Sequence, residues 1–195
     1  MGKEKYLRDV EALFSKSPVV SYSSIEKVVT HRNKVKEYVK RLIHYLTVSG
    51  RIKRLAKGCY TELDDVSLAV FCFKPAYFGL QDALSYHNLW EQETIPVIIT
   101  SRKVRPGIRT VLGKNALVRR ILRKYFFGIE YMRQGKIVFP YSDVEKTFID
   151  MAYFKEKLSE ELLVVFKERI SYKKLKAYLK FYPKRFRERV LSYLP

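Results

Sequence analysis

Arg32, Asn33, Lys34, Lys36, Glu37 and Lys40 fall within one short stretch, and Arg51, Lys53, Arg54 and Lys57 follow in a second. A guanidinium or ammonium group donates to guanine O6 and N7, and an Asn amide matches adenine. Each good pair discriminates by about 1–3 kcal/mol. Cations without a base partner serve phosphates, which fix register but carry no sequence information. The first set is therefore read as base-reading and the second as phosphate-gripping.

Other chemistry is poorly supported. His31, His44 and His87 fall in different elements, and neither Cys-x-x-Cys nor His-x-x-x-His spacing occurs, so no metal site is expected. Cys59 and Cys72 read as small buried hydrophobes sooner than as a bridge, a pairing the sequence leaves open. No glycine-rich phosphate loop is present. Ser85 and His87 are alternate residues of one helix and point apart. Glu145 and Asp150 are badly spaced for paired carboxylate catalysis, and Lys146 with Asp150 reads as an ordinary i,i+4 helix pair. No catalytic residue, no cofactor and no enzymatic activity are expected.

The basic residues need elements to hold them. Val35, Val39, Leu42, Ile43 and Leu46 recur at helical spacing, predicting a long helix from about Asn33 to Ser49 that stops at Gly50. RIKRLA and CYTEL are β-suited runs joined through Lys57-Gly58, the signature of a hairpin. Before them, Tyr6, Leu7, Val10, Leu13 and Phe14 share a helical face, and Val19-Val20 suits a short strand. Ser23-Ser24-Ile25-Glu26 reads as a capping box opening a short helix. Three helices and then a two-stranded wing is the order of a winged helix-turn-helix, whose third helix enters the major groove. Residues 1–65 are assigned to such a DNA-binding domain.

Composition agrees with a polyanionic partner. The 195 residues carry 39 Lys+Arg against 20 Asp+Glu, a formal charge of +19. That imbalance costs self-repulsion unless a polyanion neutralises it. A hydrophobic content of 47% excludes a disordered chain. No secretory pattern opens the sequence and no apolar run could span a bilayer, so a cytoplasmic protein without membrane attachment is expected.

Residues 66–195 are assigned to a second domain, mixed strands and helix over 66–140 and helical over 141–195, making the fold class α+β. Val66–Phe73 is strongly β-prone, residues 78–90 read as a short helix, and Ile95–Thr100 as a buried strand. Between Glu93 and Glu130 no acidic residue occurs, whereas Arg102, Lys103, Arg105, Arg109, Lys114, Arg119, Arg120, Arg123 and Lys124 are all basic. Interleaved apolar residues and turns at Pro106-Gly107 and Gly113-Lys114 place this second basic surface on short strands. Helices are expected after a cap at Ser142 or Asp143, after Leu158-Ser159, over Tyr172–Tyr182 and over Phe186–Leu194.

Four segments in order carry a family resemblance: GRIKRLAKGCYTEL, GLQDALSYHNLWEQETIPVIITSRK, the Phe126-Phe127-Gly128 run, and Glu145-Lys146-Thr147-Phe148-Ile149-Asp150. Together they resemble the AbiEi-type antitoxin and transcriptional regulator family of type IV toxin–antitoxin (abortive infection) systems, over about Ile25 to Phe154. The family's S-A-L-S-Y-H-G-L pattern is matched by residues 82–89 except at Asp82 and Asn88. The resemblance implies a repressor that binds inverted repeats in the promoter of its own operon. It also implies a C-terminal domain that counters a nucleotidyltransferase-like toxin without requiring a stable complex, with Ala83, Leu84, Tyr86 and His87 as fold determinants. The alternative is an RNA- or protein-binding adaptor on a winged fold, or a plain transcription regulator, motivated by the acid-free basic span.

Overall fold

The structure is a computed structural model and describes residues 6–30, 36–92 and 94–194. The chain is mixed α+β and divides into two compact units, residues 1–72 with 110–115, and residues 73–109 with 116–195.

In the first unit α1 (Leu7–Lys16) is followed by β1 (Val20–Ser21), α2 (Tyr22–Thr30) and α3 (Lys36–Val48). A hairpin of β2 (Lys53–Ala56) and β3 (Cys59–Thr61) closes the series, and β1 pairs antiparallel on the other side of β3. The helices bury the faces that their periodicity prescribes: Val10 and Phe14, Ile25 and Val29, then Val39, Leu42, Ile43 and Leu46, packed with Val20, Ile52 and Tyr60. The cap of α2 lies earlier than the Ser-x-x-Glu pattern suggests. Ser21 Oγ accepts the Ser24 amide at 3.0 Å, because β1 pairing already fixes Ser21 in extended backbone at the helix mouth. Gly50 takes φ +72° to end α3, and Gly58 takes φ +76° in the hairpin turn, a region that disfavours side chains.

Val66–Phe73 is a 3-10 helix and not the expected strand. Its start is held by the Asp65 carboxylate, which accepts the Ser67 amide at 2.9 Å, and a continuous apolar run has no period to distinguish strand from buried helix.

The second unit contributes to a six-stranded sheet in the order β6 (Gly107–Val111), β7 (Lys114–Arg120), β5 (Val97–Thr100), β4 (Ala76–Phe78), β9 (Ile137–Ser142), β8 (Ile129–Gln134). β4 pairs parallel with β9 and antiparallel with β5, and β5 pairs parallel with β7. The β8–β9 hairpin, turning at Gly135, is absent from the sequence reading, and the expected onset of helix at Tyr141 comes only after Ser142. The helices are α4 (Leu80–Tyr86), α5 (Val144–Phe154), α6 (Glu160–Arg169), α7 (Tyr172–Leu179) and α8 (Lys184–Ser192). Asp143 caps α5 by accepting the Lys146 amide at 2.8 Å, and Ser159 caps α6 through the Leu162 amide. One core joins Tyr77, Leu80, Leu84 and Ile99 to Phe148, Phe166, Leu175, Leu179, Val190 and Leu194. Among the described residues no helix is long and apolar enough to cross a membrane.

Candidate nucleic-acid interface

With Val39, Leu42, Ile43 and Leu46 buried, α3 turns Glu37, Lys40, Arg41 and His44 to solvent. Lys40 and Glu37 form a loose pair at 3.8 Å with both side chains about two-thirds exposed, an arrangement that contributes little. Arg32, Asn33 and Lys34 lie outside the described residues. Lys36 opens α3, but its side chain is likewise outside the description. Arg41 and His44 share the exposed face with Lys40; only their helical phase announces them.

The four hairpin cations are not equivalent. Arg51 pairs with Glu11 at 3.2 Å and Lys53 with Asp64 at 2.9 Å, so both already have an intramolecular anion. Arg54 is exposed and gives only a long Nε hydrogen bond to the Ala56 carbonyl, 3.4 Å. Lys57 is exposed beside Gly58 at the turn. Arg54 and Lys57 are thus the hairpin cations most available to an external phosphate.

The second basic set also splits. Arg102, Lys103, Arg105, Lys114, Arg120, Arg123 and Lys124 are exposed. Arg109 donates to the Arg105 carbonyl at 2.7 Å, and Lys124 lies 4.9 Å from the Tyr125 ring centroid. Arg119 is a structural residue: its Nη2 meets Glu156 Oε1 at 2.8 Å, and Gln81 holds the other Glu156 oxygen at 3.1 Å. Sequence reasoning passed over a further stripe. Lys173, Lys176 and Lys180 are exposed along α7 at i, i+3, i+7 spacing, a period that could have found them.

A second polar constellation is buried in the second unit, where the E-K-x-x-x-D residues converge. Lys146 and Asp150 form an ion pair with both side chains wholly buried, and Tyr77 OH donates to the other Asp150 oxygen at 2.7 Å. The Lys146 ammonium also faces the rings of Tyr77 and Phe127, at 5.6 and 5.4 Å. Burial pulls both partners toward neutrality, raising Asp150 and lowering Lys146, while each opposes the shift in the other. This pair is therefore no ordinary exposed helix pair.

One turn earlier, Asp143 accepts Tyr178 OH at 2.8 Å and lies 3.2 Å from Lys174, which reaches Glu145 at 2.8 Å. Glu145 also accepts the Ser171 amide at 2.8 Å. Burial pushes Glu145 upward, but Lys174 and the Ser171 amide bring it net below its ordinary value. Burial and Asp143 push Tyr178 up to about 12. His87 Nε2 donates to the Ser142 carbonyl at 2.7 Å, which fixes a proton on that nitrogen, and Glu130 lies 3.6 Å away. These bonds fasten α4, α5 and α7 to β4 and β9. Among the described residues no three His, Cys, Asp or Glu side chains are grouped to hold a metal ion.

No protein-family model matches the sequence, and no curated protein matches it. Among solved structures, the chain is similar to the crystal structure of the RV2827C protein from Mycobacterium tuberculosis, with a TM-score of 0.60 and 14% identity, over 97% of this chain and 75% of that one. At that identity the likeness is one of fold.

Proposed function

We propose that the chain is a sequence-specific DNA-binding transcriptional autorepressor whose first unit is a winged helix-turn-helix. We further propose that it serves as the antitoxin of a type IV toxin–antitoxin system, countering a nucleotidyltransferase-like toxin without catalysis of its own. The carrying observation is the order of α1, α2, α3 and the β2–β3 hairpin, with Lys40, Arg41 and His44 outward on α3 and Arg54 and Lys57 outward on the hairpin. In a winged fold those two elements meet the major groove and the flanking phosphates. The antitoxin half rests on the four-segment resemblance, whose E-K-x-x-x-D motif forms a buried network of the kind that holds a fold and not an open site.

The test is a footprint and a gel shift on the DNA upstream of its own gene, beside random duplex at fixed salt. Binding at least a hundredfold tighter to inverted repeats there supports the repressor; equal affinity for both overturns it. Co-expression with the neighbouring nucleotidyltransferase-like protein, with relief of growth arrest as the readout, tests the antitoxin role. A second reading, an RNA- or protein-binding adaptor, is favoured by the exposure of Arg102, Lys103, Arg105, Arg120, Arg123 and Lys124. Loss of RNA binding on neutral substitution of those six supports it, and no RNA or protein binding by the wild-type chain would remove it.

A further inference from the structure

Cys59 and Cys72 lie thirteen positions apart, and both belong to the first unit. Cys59 is in β3, the central strand of the three-stranded sheet, opposite Ser21 of β1 on one side and Ala56 of β2 on the other. Cys72 is near the end of the 3-10 helix Val66–Phe73. Both stand as thiols, Cys72 buried and Cys59 half-buried, and their side chains are in hydrogen-bonding contact with each other. Of all pairings between two cysteines in a chain of this length, direct contact is a restrictive one, since a disulfide needs Cβ atoms within roughly 4.5 Å and side chains aimed together.

We propose that Cys59 and Cys72 form a reversible dithiol–disulfide site, oxidised by low-molecular-weight disulfides, whose bridge fastens β3 to the 3-10 helix. The order of reaction follows from accessibility. Cys59 is the thiol a solute can approach; the hydrogen bond with Cys59 and then burial hold the Cys72 thiol well above its ordinary range. Cys59, as thiolate, attacks one sulfur of the small disulfide; the S–S bond of the reagent breaks, and the departing thiolate takes up a proton. A mixed disulfide results. Cys72 then gives up its proton and attacks the Cys59 sulfur, forming the protein's S–S bond and expelling the second small thiol. The reagent is reduced to two thiols and the protein is oxidised by the same two electrons. Cys59 follows the turn at Gly58, so the bridge fixes the strand immediately beside the turn that carries Lys57.

The inference does not depend on DNA binding. The full-length protein is incubated with excess glutathione disulfide, alkylated without reduction, and weighed by mass spectrometry. The expected product has lost two hydrogens, carries neither alkyl group nor glutathione, and returns to two alkylatable thiols after dithiothreitol. C72S is expected to stop at a single glutathione adduct on Cys59, and C59S to remain unmodified. Without any variant, the wild-type chain should unfold roughly 5–10 °C higher oxidised than reduced, because the bridge closes a loop of about fourteen residues in the unfolded chain. Two alkylated cysteines after oxidation, two glutathione adducts, or a covalent dimer would each overturn the proposal.

Discussion

Replacing Lys146 with Met removes an ammonium but keeps the unbranched stem that fills its place in the core. Asp150 is then left as a wholly buried carboxylate with one remaining donor, Tyr77 OH. Breaking a buried pair by removing one partner costs about 3–5 kcal/mol, because the survivor is desolvated without compensation. Asp150→Leu leaves the Lys146 ammonium against the rings of Tyr77 and Phe127, a partial substitute, and also strands the Tyr77 hydroxyl at a further cost of about 1–3 kcal/mol. In the double variant Lys146→Met/Asp150→Leu both charges are gone and chiefly the Tyr77 hydroxyl is unsatisfied. Its loss should be about 1–3 kcal/mol, so the two single losses exceed the double by about 3–5 kcal/mol or more. The chain has a single tryptophan, Trp90, in the second unit, so urea unfolding followed by its fluorescence reports on the unit that holds the pair. Single losses under about 1 kcal/mol, or a double variant equal to the sum of the singles, would refute the reasoning that the pair is a desolvated unit.

Three further outcomes follow from other sites. Burial pushes the Asp82 carboxyl to about 7, only partly offset by the Val97 amide, so the folded state holds a proton that the unfolded state releases near pH 4; stability therefore falls as pH rises from about 4 to 7, and Asp82→Asn should flatten that fall in a denaturant series across those pH values. Gly128 has φ +67°, and a Cβ there would come within 2.8 Å of Lys146 Cβ and 2.9 Å of the Tyr178 ring, so Gly128→Ala should lower stability by about 2 kcal/mol or more, measured by thermal unfolding. On operator DNA, Arg54→Gln and Lys57→Gln should each flatten the slope of log affinity against log salt by about one, while Lys53→Gln, whose ammonium is already held by Asp64, should change it less.

The first unit was legible because its signals are local. Val39, Leu42, Ile43 and Leu46 repeat at the helical period, and Gly58 sits between two β-suited runs, so both elements can be read within a dozen residues. The second unit hides its organisation in long-range pairing. β4 is three residues long and acquires its place only between β5 and β9. The β8–β9 hairpin carries a usable signal, Gln134-Gly135 between two β-prone runs, but Pro140 inside β9 speaks against a strand until its pairing is seen. The charged face of α5 misleads for a physical reason: Glu145, Lys146 and Asp150 are surface residues by type, and beside the Lys146–Asp150 pair itself the groups that satisfy them, Ser171, Lys174 and Tyr77, lie more than twenty positions away. Among the basic residues of the hairpin, ion pairing separates Arg51 and Lys53 from Arg54 and Lys57, a distinction set by Glu11 and Asp64 that the run RIKR cannot express.

The parallel pairing of β4 with β9 joins Phe78 to Tyr141, roughly sixty residues along the chain. The three-stranded sheet of the first unit, by contrast, is complete once Thr61 is reached, with Val20 to Tyr60 its longest reach. During synthesis the helices and hairpin of the first unit can therefore assemble while the ribosome is still translating the second. Val97–Thr100 gains its second partner when Lys114–Arg120 is made, but the apolar central strand Ala76–Phe78 must wait, only half paired, until Ile137–Ser142 emerges. That interval, set by topology, is the period in which the nascent chain most needs a chaperone.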